Sequence, residues 1–507
     1  MASKSAIGKL DNIYKEVTKL REAVLEEGQQ MYEEWLPLLE REDYRESALN
    51  LAYYVALRRR DIRSLQEKLS KWGLSSLGRL EAKVLPHLDA LLVVLAKLLD
   101  KDLAEDQTIN PDEIANMRYS YLEANTEAVL GPKPKKRYTR IMITMPTEAS
   151  KDVAFIEGLL QEGMEIARIN CGHDDRDMWR KMVKNIKLAE KKTNKKCLIY
   201  FDIAGPKIRI DSIFTTKSDA RIKTGEAFFI TAEESVRSFY DQELIVGCKN
   251  KDILDQLVEG DTIALDDGVV EGRVISVKPE GAIVKVDRAT KAKGVRLKPQ
   301  KGINFPDTTT KIPLITAKDR EDIEGIQKDA DILGFSFVKD VNDIDLLHQE
   351  LVDSLGKKRA QELPIIVKIE TLQSIDHLVD IIIHSAGRHK FGIMIARGDL
   401  AVEAGFLRLS ELQEEILWVC EAAHVPVIWA TQVLETLVKK GVPTRAEITD
   451  ATMGGRAECV MLNKGNYIQD GLQLLDDVLM QSQEHQFKKS ARLRALGIAE
   501  KAWLKNK

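Results

Sequence analysis

The chain has 507 residues, 44% of them hydrophobic and 31% charged, with a formal net charge of −4. Such a length allows two or three domains with real cores, and the balanced charge gives no argument for nucleic acid or an anionic membrane as partner. Five cysteines without a CxxC pair indicate reduced thiols. Because no signal-like or membrane-length apolar run occurs, we expect a soluble, cytoplasmic protein.

Residues 1–130 predict an all-helical extension. Glycines are few, and apolar residues such as Leu80, Val84 and Leu88 recur at helical spacing. Asn110 followed by proline is typical of a helix start. We expect three to five helices that form a bundle or pack on the next domain. Residues 131–138, rich in Gly, Pro and Lys, then predict a linker.

From residue 139 onward, short apolar runs of strand length alternate with helix-sized segments. Alternation of this kind predicts a (β/α)₈ TIM barrel, an α/β fold, over 139–211 and 303–480. The eight runs are RIMITM (140–145), EIARIN (165–170), CLIYFD (197–202), DILGFSF (331–337), PIIVKI (364–369), FGIMIA (391–396), VPVIWA (425–430) and ECVMLN (458–463).

An insertion between the third and fourth runs, 212–302, has a different pattern. Its short alternating runs are separated by turn pairs such as Asp267-Gly268, which predicts a small β-barrel domain. Hinged over one end of the large barrel, it could act as a lid that excludes water. Beyond the barrel, 481–507 predicts a basic amphipathic helix as a C-terminal tail.

Charged residues follow the fifth and sixth strands of the predicted barrel. Lys368 and Glu370 lie two apart and so leave one face of a strand, and Asp399 follows the next strand in a tight Arg-Gly-Asp turn. Two carboxylates with a lysine beside them suit a hard divalent cation and an anionic substrate. The alternative is that these charges merely solvate strand ends, although polar residues close most of the other strands as well.

The same segments resemble a known family. VKIE (367–370) and IARGDLAVE (395–403) are similar to the pyruvate kinase motifs SKIE and ARGDLGVE. Further motifs follow in the order of that family, and the resemblance extends from 139 to about 475. They are ARINCGH (167–173), DIAGPKIR (202–209), DDG (266–268), KGINFP (301–306), WATQVLETL (429–437) and PTRAE (443–447).

The resemblance implies phosphoryl transfer from phosphoenolpyruvate to ADP, giving pyruvate and ATP. It implies that Glu370 and Asp399 hold Mg²⁺ or Mn²⁺ and that Lys368 stands beside the transferring phosphoryl group. Backbone amides at Gly398 and Asp399 would bind the substrate carboxylate, and Thr431 would bind it too and help to relay a proton.

The resemblance also assigns residues to phosphates and nucleotide. Arg168, a catalytic and substrate-binding residue by analogy, and Arg209 would clamp phosphates. Asn170, His173, Arg209 and Lys301 would form the nucleotide site, although the alternative that His173 is a plain structural histidine stays open. The implied partners are phosphoenolpyruvate, pyruvate and ADP or ATP, and we expect a homo-oligomer.

One departure concerns the monovalent cation. Most of the family bind K⁺ with Asn, Ser, Asp and Thr, where this chain has Asn170, Gly172, Asp202 and Ile203. Two oxygen ligands are thus missing, and Lys207 stands where K⁺-dependent relatives carry Glu. A lysine ammonium can supply the single charge of K⁺. We therefore predict that K⁺ is not required.

Other departures leave alternatives open. TMPTEAS (144–150) and MLNKGN (461–466) differ from the family's TIGPAS and MLSGET, so nucleotide preference or turnover could differ. No room remains for the family's C-terminal effector domain, and we expect no regulation by fructose 1,6-bisphosphate there. One alternative is a catalytically silent relative that binds phosphoenolpyruvate or nucleotide. Another is a metal-dependent enolate aldolase or lyase, against which the lid argues.

Overall fold

The structure, a computed structural model, describes residues 4–102, 111–217, 221–233, 243–308, 312–488 and 490–491. Its α-helices are α1 Lys4–Trp35, α2 Arg45–Arg58, α3 Arg63–Lys71, α4 Val84–Leu98, α5 Pro111–Leu130, α6 Val153–Glu162, α7 Arg176–Thr193, α8 Lys251–Leu254, α9 Ala317–Ile326, α10 Val341–Leu355, α11 Lys357–Glu362, α12 Leu372–Asp376, α13 Leu378–Ala386, α14 Arg397–Ala422, α15 Glu435–Lys440, α16 Arg445–Gly454 and α17 Ile468–His485. Asn110 of the predicted helix start and 492–507 of the predicted tail lie outside the described residues.

The strands follow the predicted positions closely. They are β1 Arg140–Thr144, β2 Ile166–Asn170, β3 Leu198–Ile203, β4 Ser212–Thr215, β5 Arg221–Ile222, β6 Ala227–Thr231, β7 Leu244–Gly247, β8 Thr262–Leu265, β9 Val270–Lys278, β10 Gly281–Ala289, β11 Val295–Arg296, β12 Ile303–Asn304, β13 Ile332–Phe335, β14 Ile365–Ile369, β15 Phe391–Ala396, β16 Val427–Ala430, β17 Cys459–Leu462, β18 Gln486–Phe487 and β19 Ser490–Ala491. Each of the eight predicted barrel strands is present.

The eight parallel strands close into a barrel in the order β1, β17, β16, β15, β14, β13, β3, β2. The predicted TIM barrel is therefore confirmed. Neighbouring strands pair in register, for example Lys368 of β14 with Met394 of β15. All eight carboxyl ends thus meet at one end of the barrel, which we call the rim, and the opposite end is the floor.

Helix caps explain where several barrel helices begin. The Thr444 hydroxyl accepts from the backbone N–H of Glu447 at 3.3 Å, and the Glu447 carboxylate accepts from the N–H of Thr444 at 2.8 Å. This reciprocal capping box accounts for the PTRAE motif at the start of α16. Thr316 forms the same arrangement at α9.

The insertion folds around its own apolar core. Seven strands form one sheet in the order β12, β8, β9, β10, β6, β7, β4, and β5 pairs with β11. The sequence predicted a small β-barrel here, and the described residues form this seven-stranded sheet, with β12 and β4 at its ends, beside the β5–β11 pair. Because Ile303 and Asn304 pair with β8, this sheet extends two residues beyond the predicted boundary at 302.

The N-terminal extension, α1 to α5, covers the barrel floor. Val129 and Leu130, at the end of α5, pack against the apolar residues that fill the barrel interior. Asn125 donates its side-chain amide to the carbonyl of His424 in the loop before β16, at 2.8 Å. Residues of α1 to α4 belong to the same core cluster as the barrel helices.

The tail differs from its prediction within the described residues. α17 ends at His485, and Gln486–Phe487 then pairs antiparallel with Ser490–Ala491. The segment 481–507 is therefore not one continuous helix, because two extended pairs of residues interrupt it. None of the described helices combines the length and apolar character needed to cross a membrane.

Candidate active site

Arg168 and Asp202 form a buried ion pair at the carboxyl ends of β2 and β3. Arg168 donates to Oδ2 of Asp202 from Nε at 2.9 Å and from Nη2 at 2.5 Å. Burial opposes the ionisation of Asp202, but the charges of Lys368 and Arg168 prevail and lower its pKa. Oδ1 of Asp202 is buried and accepts no hydrogen bond from the described residues. One oxygen of this ionised carboxylate is thus buried without a donor from the described residues.

Lys368 reaches into the same space from β14, with its side chain 14% exposed. Its Nζ donates to Oγ of Ser336 at 2.8 Å and lies 3.3 Å from Oε2 of Glu370. Burial disfavours the ammonium, yet the carboxylates of Asp202 and Glu370 raise the pKa of Lys368. The rim therefore carries a fixed positive charge inside a largely buried site, where its effect on a bound anion is strong.

Glu370, directly after β14, is fully buried. Its Oε1 accepts the backbone N–H of Phe337 at 2.6 Å, whereas Oε2 has no hydrogen-bond donor among the described residues. Burial raises the pKa of Glu370 to about 7, with Lys368 opposing the shift and Asp399 adding to it. A cation on Oε2 would offset the burial and keep the carboxylate ionised.

Asp399 lies in the first turn of α14 and contacts Lys207 with both carboxylate oxygens. The Lys207 ammonium is 2.9 Å from Oδ1 and 3.2 Å from Oδ2, and it also lies 3.3 Å from Asp267 of the insertion. A Cβ on Gly302 would lie 2.8 Å from Cε of Lys207, so the glycine of the KGINFP motif leaves room for this lysine. Lys207 thus links a predicted metal ligand to the predicted lid.

Glu370 and Asp399 are the residues that could hold a divalent cation, with water or substrate oxygens as its remaining ligands. Glu370 and Asp399 follow neighbouring strands, and the charge of Asp399 reaches Glu370 strongly enough to shift its pKa. In the described part of the chain, no group of three or more His, Cys, Asp or Glu is arranged to hold a metal. Mg²⁺ commonly takes one or two carboxylates and completes its shell with water and substrate oxygens, so two ligands suffice.

Thr431, directly after β16, has an unusual backbone conformation. Its φ of 72° lies in the left-handed region, which a β-branched residue rarely adopts. The Thr431 side chain packs closely against Gly398 at the start of α14. Only a glycine allows this contact, because a Cβ at position 398 would lie 2.8 Å from Cγ2 of Thr431. Thr431 is therefore held against the start of α14, where backbone N–H groups can bind an anion.

Arg397 keeps this turn in place. Its guanidinium donates to the carbonyls of Ala430 at 2.8 Å and Thr431 at 2.6 Å, and its Nη2 bonds Asp450 of α16 at 2.8 Å. It also stacks over the Trp429 ring at 4.4 Å. Arg397 was visible in the motif, but nothing in the sequence linked it to Thr431 or to Asp450.

His173 and Asn170 lie on the loop after β2. The backbone N–H of His173 donates to the carbonyl of Asn170 at 3.0 Å, and Oδ1 of Asn170 accepts from the N–H of Gly172. Burial lowers the pKa of His173, and the nearby cations Lys464 and Arg209 lower it further. This side of the rim is therefore positive, which suits the phosphates of a nucleotide.

Arg209 and Lys301 lie on the two chain segments that connect the barrel to the insertion. Arg209 donates to the carbonyl of Gln300 at 2.9 Å, and Lys301 lies 2.7 Å from Asp266 within the insertion. The two segments also pair through the backbone of Arg209 and Gly302. Lys301 thus belongs to the lid side of the site, whereas Arg209 lies beside the His173 loop.

A cleft of about 1140 Å³ separates the insertion from the rim. Its lining includes Asp267, Gly268, Glu271 and Arg288 of the insertion and Gly398 and Thr431 of the rim. Gly268 approaches Val402 of α14, since a Cβ there would lie 3.4 Å from Cγ2. The insertion therefore lies against the first turns of α14 at one side of the rim, and its action as a lid stays a prediction.

Glu403 is a residue that the sequence reasoning did not single out. Burial raises the pKa of Glu403 to about 7, and the amide of Asn304 donates to it at 3.4 Å. Its position four residues after Asp399, one helical turn on, was the available signal. The bond joins α14 to the last strand of the insertion, so Glu403 lies where lid and barrel meet.

Comparison with known proteins decides the family. Residues 136–470 match the model for the pyruvate kinase barrel domain. The chain is 30% identical over 355 residues to the pyruvate kinase of Dictyostelium discoideum, which covers 68% of this chain and 66% of that protein. It is 33% identical over 316 residues to the pyruvate kinase of Thermotoga maritima, covering 62% and 63%.

The chain belongs to the pyruvate kinase family. A crystal structure of a pyruvate kinase from Cryptosporidium parvum supports this with a TM-score of 0.60 at 27% identity, covering 70% of this chain and 72% of that one. The match of 136–470 includes all eight barrel strands and the insertion. The chain spans 66% or less of the length of the two curated relatives named above.

Two loops that depart from the pyruvate kinase motifs meet at the rim. Oγ1 of Thr144, at the end of β1, donates to Oδ1 of Asn463 after β17 at 3.4 Å. Thr147, in the same first loop, donates to Asp174 at 2.8 Å. Lys464 follows Asn463, and its positive charge lies close enough to His173 to lower the pKa of that histidine. The altered loops thus contact each other and the loop that carries His173.

Proposed function

We propose that this chain transfers the phosphoryl group of phosphoenolpyruvate to ADP, giving pyruvate and ATP. The observation that carries the proposal is the Lys368 ammonium, held between Asp202 and Glu370 at the rim beneath the insertion. A lysine kept charged in a nearly dry site supplies fixed positive charge where a phosphoryl group leaves an enolate.

Each predicted residue has a role that agrees with its position. Glu370 and Asp399 would hold Mg²⁺ or Mn²⁺, which supplies positive charge to the substrate phosphate and carboxylate when bound. The N–H groups at the start of α14, at Gly398 and Asp399, would orient the carboxylate. The Thr431 hydroxyl, held over that helix start, would pass a proton to the enolate with the help of water.

The nucleotide would bind on the opposite side of the phosphoryl group, under the insertion. Arg209 and His173 border the positive part of the rim, and Asn170 fixes the loop that carries His173. Lys301 would contact the nucleotide from the insertion once its ion pair with Asp266 is broken. Arg168, bound to Asp202, would turn its remaining N–H groups to a phosphate oxygen.

We also propose that K⁺ is not required. The Lys207 ammonium contacts Asp399, and its charge reaches Glu370 as well, so a positive charge is already present beside the metal ligands. Replacing K⁺ with tetramethylammonium at constant ionic strength should change the rate of pyruvate formation less than about twofold. A many-fold rise when K⁺ is returned would contradict this.

The decisive experiment is a coupled assay for pyruvate with a panel of nucleoside diphosphates, with Mg²⁺ and with EDTA. Wild type and the surface control Lys328→Met should form pyruvate, whereas Lys368→Met should lose roughly 10³-fold in kcat, about 4 kcal/mol. Ligand binding without pyruvate formation would favour the silent relative. Pyruvate released from oxaloacetate without nucleotide would favour the aldolase or lyase.

The homo-oligomer expected for this family stays a prediction. Light scattering on the full chain gives its mass directly. A mass of one chain at assay concentrations would contradict the prediction without touching the proposed reaction.

A further inference from the structure

A separate cavity of about 330 Å³, here called the floor cavity, lies at the end of the barrel away from the catalytic rim. Thr139 and Arg140, at the start of β1, and Gly455–Glu458, before β17, form its barrel wall. α5 of the extension and Phe487 and Lys488 after α17 close it. Its volume lies in the range of small-molecule sites. Three separate parts of the chain therefore line one pocket, which is partly open to solvent.

Arg140 is the chemical centre of this cavity, with only 3% of the residue exposed. Nε and Nη2 donate to the carbonyl of Gly131 at 3.2 and 2.8 Å, and Nη1 donates to the carbonyl of Tyr138 at 3.2 Å. A guanidinium has five N–H donors, so two remain without a partner in the described part of the chain. Burial lowers the pKa of Arg140, which reports how poorly the charge is solvated.

The other cations of the floor cavity have carboxylate partners. Within the described residues these ion pairs are Lys133 with Glu123 at 3.9 Å, Arg456 with Glu414 at 2.5 Å, and Lys488 with Glu458. Arg140 forms no such pair with a described carboxylate, although the charge of Glu458 reaches it. A buried cation without a paired anion is costly, and an anionic ligand would offset that cost.

Aromatic rings line the cavity beside Arg140. Tyr138 and Phe487 meet edge to face, with ring centroids 4.9 Å apart and an interplanar angle of 69°. The Lys133 ammonium lies 4.5 Å from the centre of the Tyr138 ring. Such a wall favours a planar, apolar group, which can stack or pack edge-on against the rings.

We propose that the floor cavity binds a small organic anion. Its carboxylate or phosphate would take the two remaining N–H groups of Arg140, whose planar fork suits two oxygens. Its planar apolar body would pack against Tyr138 and Phe487. Because the cavity joins extension, barrel and tail, the ligand would stabilise their packing. The site lies away from the metal ligands and stands whether or not the proposed reaction is correct.

Binding is tested on the full chain with probes that separate charge from shape. Benzoate and phenyl phosphate carry both the anion and the ring, acetate and inorganic phosphate carry the anion alone, and benzylamine carries the ring with the opposite charge. We expect benzoate or phenyl phosphate to bind in calorimetry and to raise Tm with concentration, as a ligand of the folded state must. Whichever of the two binds more tightly shows whether the site prefers a carboxylate or a phosphate.

Variants then locate the binding. Arg140→Gln should lower affinity at least tenfold, and Tyr138→Ala and Phe487→Ala at least threefold each. The control Phe214→Ala, at an exposed ring on β4 of the insertion, should bind like wild type. Because Arg140→Gln removes a poorly compensated buried charge, its Tm without ligand should not fall. If Arg140→Gln does not fold, the affinities of Tyr138→Ala and Phe487→Ala still test whether the ligand binds in the floor cavity.

Three results would overturn the proposal. The first is that neither benzoate nor phenyl phosphate binds at millimolar concentration. The second is that benzylamine binds as tightly as the anions. The third is that Arg140→Gln, or both ring variants, bind with wild-type affinity, which would place the ligand elsewhere, for example at the catalytic rim.

Discussion

Two regions of the molecule differ in whether their buried polar atoms have hydrogen-bond partners: the rim, and the contacts of Asn50 at the floor. At the rim, Oε2 of Glu370 and Oδ1 of Asp202 are buried and accept no hydrogen bond from the described residues. At the floor, the Asn50 amide donates to two carbonyls, of Glu81 and of Ala422, each at 2.8 Å, and its oxygen accepts from the N–H of Val84. The protein itself thus satisfies Asn50, whereas the two rim carboxylates and Arg140 of the floor cavity keep polar groups for which the described residues offer no partner.

All five N–H groups of Arg137, also at the floor, have an acceptor among the described residues. Its guanidinium bonds both oxygens of Glu165 at 2.9 Å and Asp476 at 2.6 Å, and it donates to the carbonyls of Thr139 and Gly163 at 2.5 Å. Arg168 at the rim has one carboxylate partner and the hydroxyl of Thr144. Arg137 therefore uses all its donors within the protein, whereas Arg168 keeps two N–H groups without an acceptor among the described residues.

The largest expected effect tests the rim. Glu370→Gln keeps an acceptor for the N–H of Phe337 but removes the charge that would hold the cation. We expect kcat to fall roughly 10⁴-fold, about 5.5 kcal/mol. Calorimetric titration with Mn²⁺ should show weaker binding. The free energy of unfolding without metal should stay equal or rise at pH 8, because a buried carboxylate is gone. Loss of stability with activity retained would reverse our interpretation of the rim.

The next effect tests the floor. Arg137→Met leaves Glu165 and Asp476 without their buried partner, so we expect the free energy of unfolding to fall by about 3–5 kcal/mol. Specific activity of the folded fraction should remain, because Arg137 lies at the floor. Urea denaturation monitored by tryptophan fluorescence measures the change. Arg63→Met, at an exposed pair with Asp61, is the matched control and should cost less than about 1 kcal/mol.

A smaller effect is expected where the rim is held by its own contacts. Arg397→Lys cannot bond Asp450 and the carbonyls of Ala430 and Thr431 together, because a lysine lacks the planar fork. Thr431 should then relax from its left-handed conformation, and kcat should fall roughly 30-fold, about 2 kcal/mol. KM for phosphoenolpyruvate should rise as well, measured in the coupled assay. Arg408→Lys, exposed on the same helix, should change neither value.

Much of the fold could be predicted because it depends on local patterns. The eight apolar runs predicted the barrel strands, and the PTRAE motif marks a capped helix start. The site was predictable where residues lie close in sequence, as Lys368 and Glu370 do. The Arg397–Asp450 bond and the Asn304–Glu403 bond join segments far apart, so nothing in the sequence pattern revealed them. The tail was predicted as a helix from amphipathic spacing, but β18 and β19 interrupt it.

The smallest effect concerns Glu403, where lid and barrel meet. Burial raises the pKa of its carboxyl to about 7 in the folded chain, against 4.5 for the ordinary value. The folded state thus keeps a proton that the unfolded state loses, so the contribution of Glu403 to stability is fully present below about pH 4.5 and is lost as pH rises through about 7.

In EDTA, the difference in unfolding free energy between wild type and Glu403→Gln should therefore decrease from pH 5 to pH 8. We expect this decrease to be about 1–2 kcal/mol, because the side chain is partly open to solvent and solvent weakens the effect of burial. Urea denaturation across this range measures it, and Glu411→Gln, exposed on the same helix, should give a constant difference. A constant difference for Glu403→Gln as well would mean that the carboxyl does not change its protonation between pH 5 and pH 8. The bond from Asn304 would then join the insertion to α14 in one charge state across this range, and their contact would not depend on pH.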